Sequence, residues 1–255
     1  MIRVVGALLL AALISTFLAP KLGLNATTLA TFIGFLVALV VVLLAFEVPG
    51  LILRRRRSGE LGRLRALPWA LVIAAIFVAV SRVTALQPGY LYGIVLGIAF
   101  MRDVSEREEG AEEAAGAVWT LAVAVAAWVL LGWFRGQAPA IGTFGTTLAA
   151  TTLSAITVAG MEAVAFGLMP FRFMPGWVVY RWNRFLWAVV FGVSVFAFVH
   201  ILIGPNAGYL SSLSIPALLA ALGVFLAFSI FSVLFWAYFR FRPARPAEES
   251  TSAEG

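Results

Sequence analysis

The chain has no cysteine, a single histidine (His200), a single aspartate (Asp103) and a single lysine (Lys21), and only 12% of its residues are charged. Each scarcity removes a chemistry. Without thiols there are no disulfides, iron–sulfur clusters, thiolate metal sites or cysteine nucleophiles. A zinc centre takes three or four His, Cys or acidic ligands, and haem held between two histidines needs a second histidine that this chain lacks. No metal and no cofactor is therefore expected. An intramembrane aspartyl protease needs two aspartates, and a retinal Schiff base needs a lysine within a span, whereas Lys21 falls in the first outer loop. Charge itself is about half as frequent as in a soluble domain.

What the chain does have is hydrophobicity, in 62% of its 255 residues, with a mean hydropathy of +1.01. That composition implies an all-α polytopic membrane helix bundle. Crossing as a helix takes roughly 17–25 residues, and seven runs qualify: 3–20, 27–48, 66–86, 114–134, 145–168, 185–204 and 214–239. An eighth run, 90–101, offers only about a dozen residues, a length shared by re-entrant segments. If it crosses, 15 of the 18 basic residues face one side, leaving Lys21, Arg82 and Arg135 elsewhere. The positive-inside bias makes that side the cytoplasm and selects eight spans with both termini cytoplasmic. The run 4–18 lacks a small-x-small site followed by a soluble domain and reads as a retained first helix.

Two charged patches separate spans. Arg54, Arg55, Arg56 and Arg57 form a stop-transfer and topology signal that can also meet anionic lipid or a partner. The stretch 103–113 holds Asp103, Glu106, Glu108, Glu109, Glu112 and Glu113 against Arg107. It reads as a solvated helical extension that neutralises nearby arginines. Residues 243–255, without a large apolar side chain, read as a disordered cytoplasmic tail.

The two halves also align on each other at an offset of about 118–121. Thr27 Thr28 Leu29 Ala30 matches Thr146 Thr147 Leu148 Ala149, and Ala45 Phe46 with Pro49 matches Ala165 Phe166 with Pro170. Trp69 Ala70 matches Trp187 Ala188, Arg82 matches His200, and Pro88 Gly89 Tyr90 Leu91 matches Pro205 with Gly208 Tyr209 Leu210. A repeat of four spans keeps its orientation. Residues 1–112 and 113–242 are thus expected as two tandem four-helix repeats about a pseudo-two-fold axis along the membrane normal. Pro49 and Pro170 would end their helices at matching cytoplasmic corners.

Ionisable groups in or near spans are functional candidates, and here they are Glu47, Arg82, Glu162 and His200. Arg82 and His200 lie near outer helix ends, where snorkelling to the interface competes with a buried role. Glu47 can meet the arginines at 54–57. Glu162 is deepest and is either an inward functional contact or a structural partner of Arg172 or Arg184. Ser194 and His200 cannot form a rhomboid-like catalytic pair, because six residues on one helix point them about 240° apart. Ser194 and Gly192 read instead as small packing residues. Thr147, Thr151, Thr152, Ser154 and Thr157, with Gly160, either line a transport path through the sixth span or bond to their own backbone. The segment 171–184 interleaves Arg172, Arg181 and Arg184 with Phe171, Phe173, Trp177, Tyr180 and Trp182. Such a basic, aromatic stretch belongs in the cytoplasmic interface, in contact with lipid or a partner and not with nucleic acid.

Phe166 Gly167 Leu168 Met169 Pro170, continued by Phe171 Arg172 Phe173 Met174 Pro175 Gly176, resembles the FGLLP motif and its continuation in the actinobacterial FGLLP-motif membrane proteins. Gln87 Pro88 Gly89 Tyr90 Leu91 Tyr92 Gly93, Arg107 Glu108 Glu109 Gly110, and Trp182 with Trp187 Ala188 agree in kind, so the resemblance covers about residues 25–210. Met169 stands where the motif has its second leucine. The resemblance implies a multi-span protein of a bacterial cytoplasmic (inner) membrane and carries no reaction or ligand. The expected function is that of a non-enzymatic membrane scaffold or partner-binding subunit. Its expected partners are membrane lipids and another membrane protein or a second copy of the chain. The alternatives are a small-solute or lipid transporter using the sixth span and, third, a lipid-modifying enzyme with no nucleophile or metal site to name.

Overall fold

Asn25 starts the first long span, its side-chain oxygen accepting the Thr28 N–H at 2.8 Å as a helix N-terminus requires. The computed structural model describes residues 2–18, 23–58, 63–66, 71–72, 75–76, 78–79, 96–99, 105–137, 143–172 and 174–203. Within them the chain forms α1 (Ile2–Thr16), α2 (Ala26–Ser58), α3 (Glu106–Gln137), α4 (Thr143–Gly167), α5 (Pro175–Trp182) and α6 (Arg184–Ala197). A π-helical turn, Phe198–Ile203, continues α6. β1 (Arg63–Ala66) and β2 (Leu96–Ala99) make one antiparallel pair with Arg63 opposite Ala99.

Among the described residues, four helical stretches are long and apolar enough to cross a membrane: Ala26–Arg56, Arg107–Arg135, Thr143–Gly167 and Arg184–Leu202. They fall on the expected runs 27–48, 114–134, 145–168 and 185–204. Run 3–20 is present as the shorter α1. Of run 66–86, Ala66 ends β1, and residues 71–72, 75–76 and 78–79 are described and helical. Run 214–239, the tail 243–255 and Arg82 lie outside the described residues. Run 90–101 departs from expectation, because Leu96–Ala99 within it is strand β2 and not helix. Gly97 weakens a helix interior and the β-branched Ile98 favours a pleated backbone.

α3 is 32 residues long, and local chemistry explains both ends. Glu108 supplies one arm of a capping box at Ser105, its Oε2 accepting from the Ser105 N–H at 3.3 Å and from the Ser105 hydroxyl at 2.9 Å. Acidic residues fill the first turns and Arg135 the last, which suits the helix dipole at each end. At about 1.5 Å per residue such a helix is about 48 Å long, against a hydrocarbon layer of about 30 Å. The acidic turns therefore project beyond the apolar layer.

α2 runs through Pro49 to Ser58, so Pro49 does not close the second span and is no counterpart of the corner at Pro170. Proline removes only one donor, the N–H that Ala45's carbonyl would otherwise receive. A helix flanked by neighbours absorbs that loss. α3 lies against this region: a Cβ on Gly116 would collide with the Phe46 carbonyl, and one on Gly50 would stand 3.5 Å from Glu112 Cβ. α4, by contrast, stops at Gly167, before its proline is reached.

α1, α2, α3 and α4 share one core, built from Ala7, Ala11 and Ala12, Phe35, Ala38 and Val42, Ala124 and Ala127, and Ala155, Ala159 and Met161. Leu202 of the π turn joins it. A second core sets Ala114, Ala117 and Leu121 of α3 against Val164 and Leu168, Val179 of α5, and Val190 and Ala197 of α6. Alanine and glycine dominate the contacts. A Cβ on Gly160 would come within 2.8 Å of Ala124 Cβ, so α3 and α4 approach backbone to backbone. Within lipid, close packing of this kind replaces water exclusion as the force between helices.

Candidate functional site

Three close approaches gather chain ends at one end of the bundle. Gly50 of α2 faces Glu112 of α3, Gly110 of α3 faces Trp182 of α5, and Gly176 of α5 presses on Leu168 just past α4. The end of α2, the start of α3, the end of α4, α5 and the start of α6 therefore meet. This end collects Arg54, Arg55, Arg56, Arg172, Arg181 and Arg184, while Arg135 is in the last turn of α3, at the opposite end.

The arginines at 54–57 are not one surface patch. Arg54 is 6% exposed, and its guanidinium grips Glu112 with Nη2 at 2.6 Å and Nε at 3.0 Å from Oε2. Arg55 and Arg56 are exposed, and the Arg57 side chain lies outside the described residues. Arg54 is thus a strut between α2 and α3 and offers no charge to the surface. Glu112, expected in a solvated stretch, is the other half of the strut.

Glu113, the next residue, has a buried carboxyl oxygen, Oε2, with no hydrogen-bond partner among the described residues. It sits among the charges of Glu47, Glu109, Glu112 and Arg54. Glu47 is half-buried on α2 and has a partner of its own. On the same face of α3, two turns further in, the buried Thr120 hydroxyl oxygen is likewise without a partner.

The turn at 166–170 holds the segment that follows it. Phe166 meets Phe198 edge-on at 5.4 Å, and Leu168 is 2% exposed. Trp187 Nε1 donates to the Leu168 carbonyl at 2.8 Å, and a Cβ on Gly176 would collide with that same carbonyl group. Met169 and Gly167 are partly exposed, and Pro170 is exposed. Pro175 opens α5 at the position where its missing N–H costs nothing, and Asn183 caps α6 by accepting the Leu186 N–H at 3.0 Å. Between them runs a ladder of rings. Trp177 stacks on Tyr180 at 5.7 Å, Tyr180 meets Trp187 edge-on at 5.1 Å, and Trp187 stacks on Phe191 at 5.2 Å. The Arg184 guanidinium stands 5.2 Å from the Tyr180 ring centre. Arg172, Arg181 and Arg184 are all exposed.

The other candidates are scattered. Glu162 is 4% exposed on α4 and engaged. His200 is exposed in the π turn, its ring stacked on Phe196 at 5.4 Å. Thr147, Thr152 and Thr157 each donate at 2.8 Å to the carbonyl four residues back, and Ser154 donates at 3.1 Å to Thr151. Ser194 is fully buried and donates to Phe191 at 2.8 Å, as a packing residue does. A Cβ on Gly192 would meet nothing within 4 Å among the described residues.

Among the described residues no group of three His, Asp or Glu side chains is placed to hold a metal. The arrangement sets exposed arginines and aromatic rings together at one end of the bundle. Glu112, Glu113 and Thr120 were hidden in the sequence, although the S-x-x-E box at Ser105 marks where α3 starts and hence which face each occupies. No family model, curated protein or solved structure matches the chain.

Proposed function

We propose that the protein is a non-enzymatic integral membrane component, a scaffold or partner-binding subunit, that meets its partner at the arginine-rich end of the bundle. One observation carries the reading: Arg54 and Glu112 neutralise each other inside the framework, which leaves Arg55 and Arg56 exposed at the tip of α2. The hydroxyls of Thr147, Thr152, Ser154 and Thr157 bond to their own helix, which leaves little polar chemistry for a reaction. The experiment is affinity purification from native membranes in mild detergent, comparing the parent with Arg55→Glu/Arg56→Glu. A partner that co-purifies with the parent and is lost from the variant is the expected result; a parent isolated only as a monomer counts against the reading.

The same proposal includes an even number of crossings between α2 and α3, both termini cytoplasmic, in a bacterial cytoplasmic membrane, with the FGLLP-like turn at the cytoplasmic face. Supporting it, α2 ends and α3 begins at the same end of the bundle, which asks for an even number of crossings in the intervening chain. Because the chain has no cysteine, single cysteines at Arg55 and Phe171 can be labelled from either side without background. Labelling from opposite sides would sink the topology.

A second reading, a small-solute or lipid transporter, is favoured by Glu113 Oε2 and Thr120 Oγ1, two unpartnered polar atoms along one face of α3, and by the buried Glu162 of α4. Flux in reconstituted vesicles that falls on Glu162→Gln supports it; absence of flux in the parent removes it.

A further inference from the structure

Between Gly167 and Ile203 the chain carries Arg172, Arg181 and Arg184 and no acidic residue. Arg172 and Arg184 are exposed and make no ion pair among the described residues, whereas Arg181 is already engaged. The bond from Trp187 Nε1 to the Leu168 carbonyl ties the turn that bears Arg172 to the first turn of α6, which bears Arg184. Both arginines therefore stand on the exposed sides of segments that this bond joins. Between those segments Trp177 stacks on Tyr180, and Arg184 stands over the Tyr180 ring.

The level of these segments matters. They lie where one crossing helix, α4, ends and another, α6, begins, which is where lipid headgroups stand and where Trp and Tyr collect. Phe171 and Phe185, 50% and 80% exposed, flank the arginines and want an apolar phase, which a phosphate ion in water does not offer. Arginine presents paired donors to phosphate oxygens, and here no carboxylate of its own segment competes.

We propose that Arg172 and Arg184, backed by Trp177 and Tyr180, bind the phosphate of an anionic phospholipid headgroup. The site goes beyond the partner-binding reading and does not depend on it, since that reading rests on Arg55 and Arg56.

The test equilibrates the purified protein with mixed phosphatidylcholine and phosphatidylglycerol, washes it in neutral detergent and counts retained lipid by native mass spectrometry. The parent and Arg55→Gln/Arg56→Gln should both retain phosphatidylglycerol selectively. Arg172→Gln/Arg184→Gln, which removes the same charge, should retain it at least roughly tenfold less, a change of about 1.4 kcal/mol in binding free energy. Equal loss from both double variants, or none from either, overturns the proposal. So does inorganic phosphate that displaces the lipid at equal concentration, which would assign the site to a free ion. Where the double variant does not fold, Arg172→Gln and Arg184→Gln singly decide the matter, each expected to lose part of the retention.

Discussion

Arg54 of α2 and Glu112 of α3 hold each other across the helix interface through bonds of 2.6 and 3.0 Å, with side chains only 7% and 10% exposed. The pair joins the end of α2 to the start of α3, beside the exposed Arg55 and Arg56.

Breaking that pair from one side leaves a buried charge without its partner. Arg54→Gln is expected to lower stability by about 3–5 kcal/mol. Glu112→Gln should cost less, because it also removes one negative charge from the neighbourhood of Glu47, Glu109 and Glu113. Arg54→Leu/Glu112→Leu should recover most of the loss. Reversible unfolding in mixed micelles followed by tryptophan fluorescence measures all three, and equal costs for the two single variants would refute the asymmetry.

Gly116 is expected to tolerate nothing larger. Gly116→Ala pushes a methyl group into the Phe46 carbonyl and should destabilise by about 1–3 kcal/mol. Gly132→Ala, where nothing lies within 4 Å of the added carbon, should be neutral or stabilise by up to about 1 kcal/mol. The same unfolding measurement on both variants checks the contrast.

Trp187→Phe keeps a ring between Tyr180 and Phe191 and removes the donor to Leu168. A loss of about 0.5–1.5 kcal/mol is expected. Faster proteolysis in the 168–175 turn should accompany it, and an unchanged cleavage rate would show that the turn does not rely on this bond.

Thr120→Val should stabilise the protein by about 1 kcal/mol, since it removes a buried hydroxyl that has no partner. Thr157→Val, which removes a hydroxyl already bonded to its own helix, should change little. A destabilised Thr120→Val variant would mean that the hydroxyl holds something when the protein is in its membrane.

Hydropathy made α2, α3, α4 and α6 legible because crossing lipid demands a long apolar run, and each run contains few charges to interrupt it. The continuation of α2 beyond Pro49 was not legible. A proline reports a lost donor, whereas the persistence of a helix depends on what lies beside it, here Glu112 and Gly116 of a chain segment some sixty residues away. The same limit applies to the acidic stretch. Composition places Glu112 and Glu113 in solvent, but helix phase turns both toward α2, and phase is fixed by the cap at Ser105. Of the candidate residues, Glu162 could be seen as deep, yet its company could not; the exposure of Arg172 and Arg184 was legible from their setting among rings and prolines.

The π turn at Phe198–Ile203 has a mechanical meaning. α6 begins with Val190 and Ala197 in one core, while Leu202, twelve residues after Val190, enters the other. Ile201, eleven residues after Val190 where an α-helix repeats its face, still packs on Val190's core, and the wider π turn brings its neighbour Leu202 into the other, so the turn works as a gear change between two meshing surfaces. Deleting a single residue there would leave α6 well seated at its start and turned out of mesh at Leu202. The two cores would then answer to stress separately instead of together.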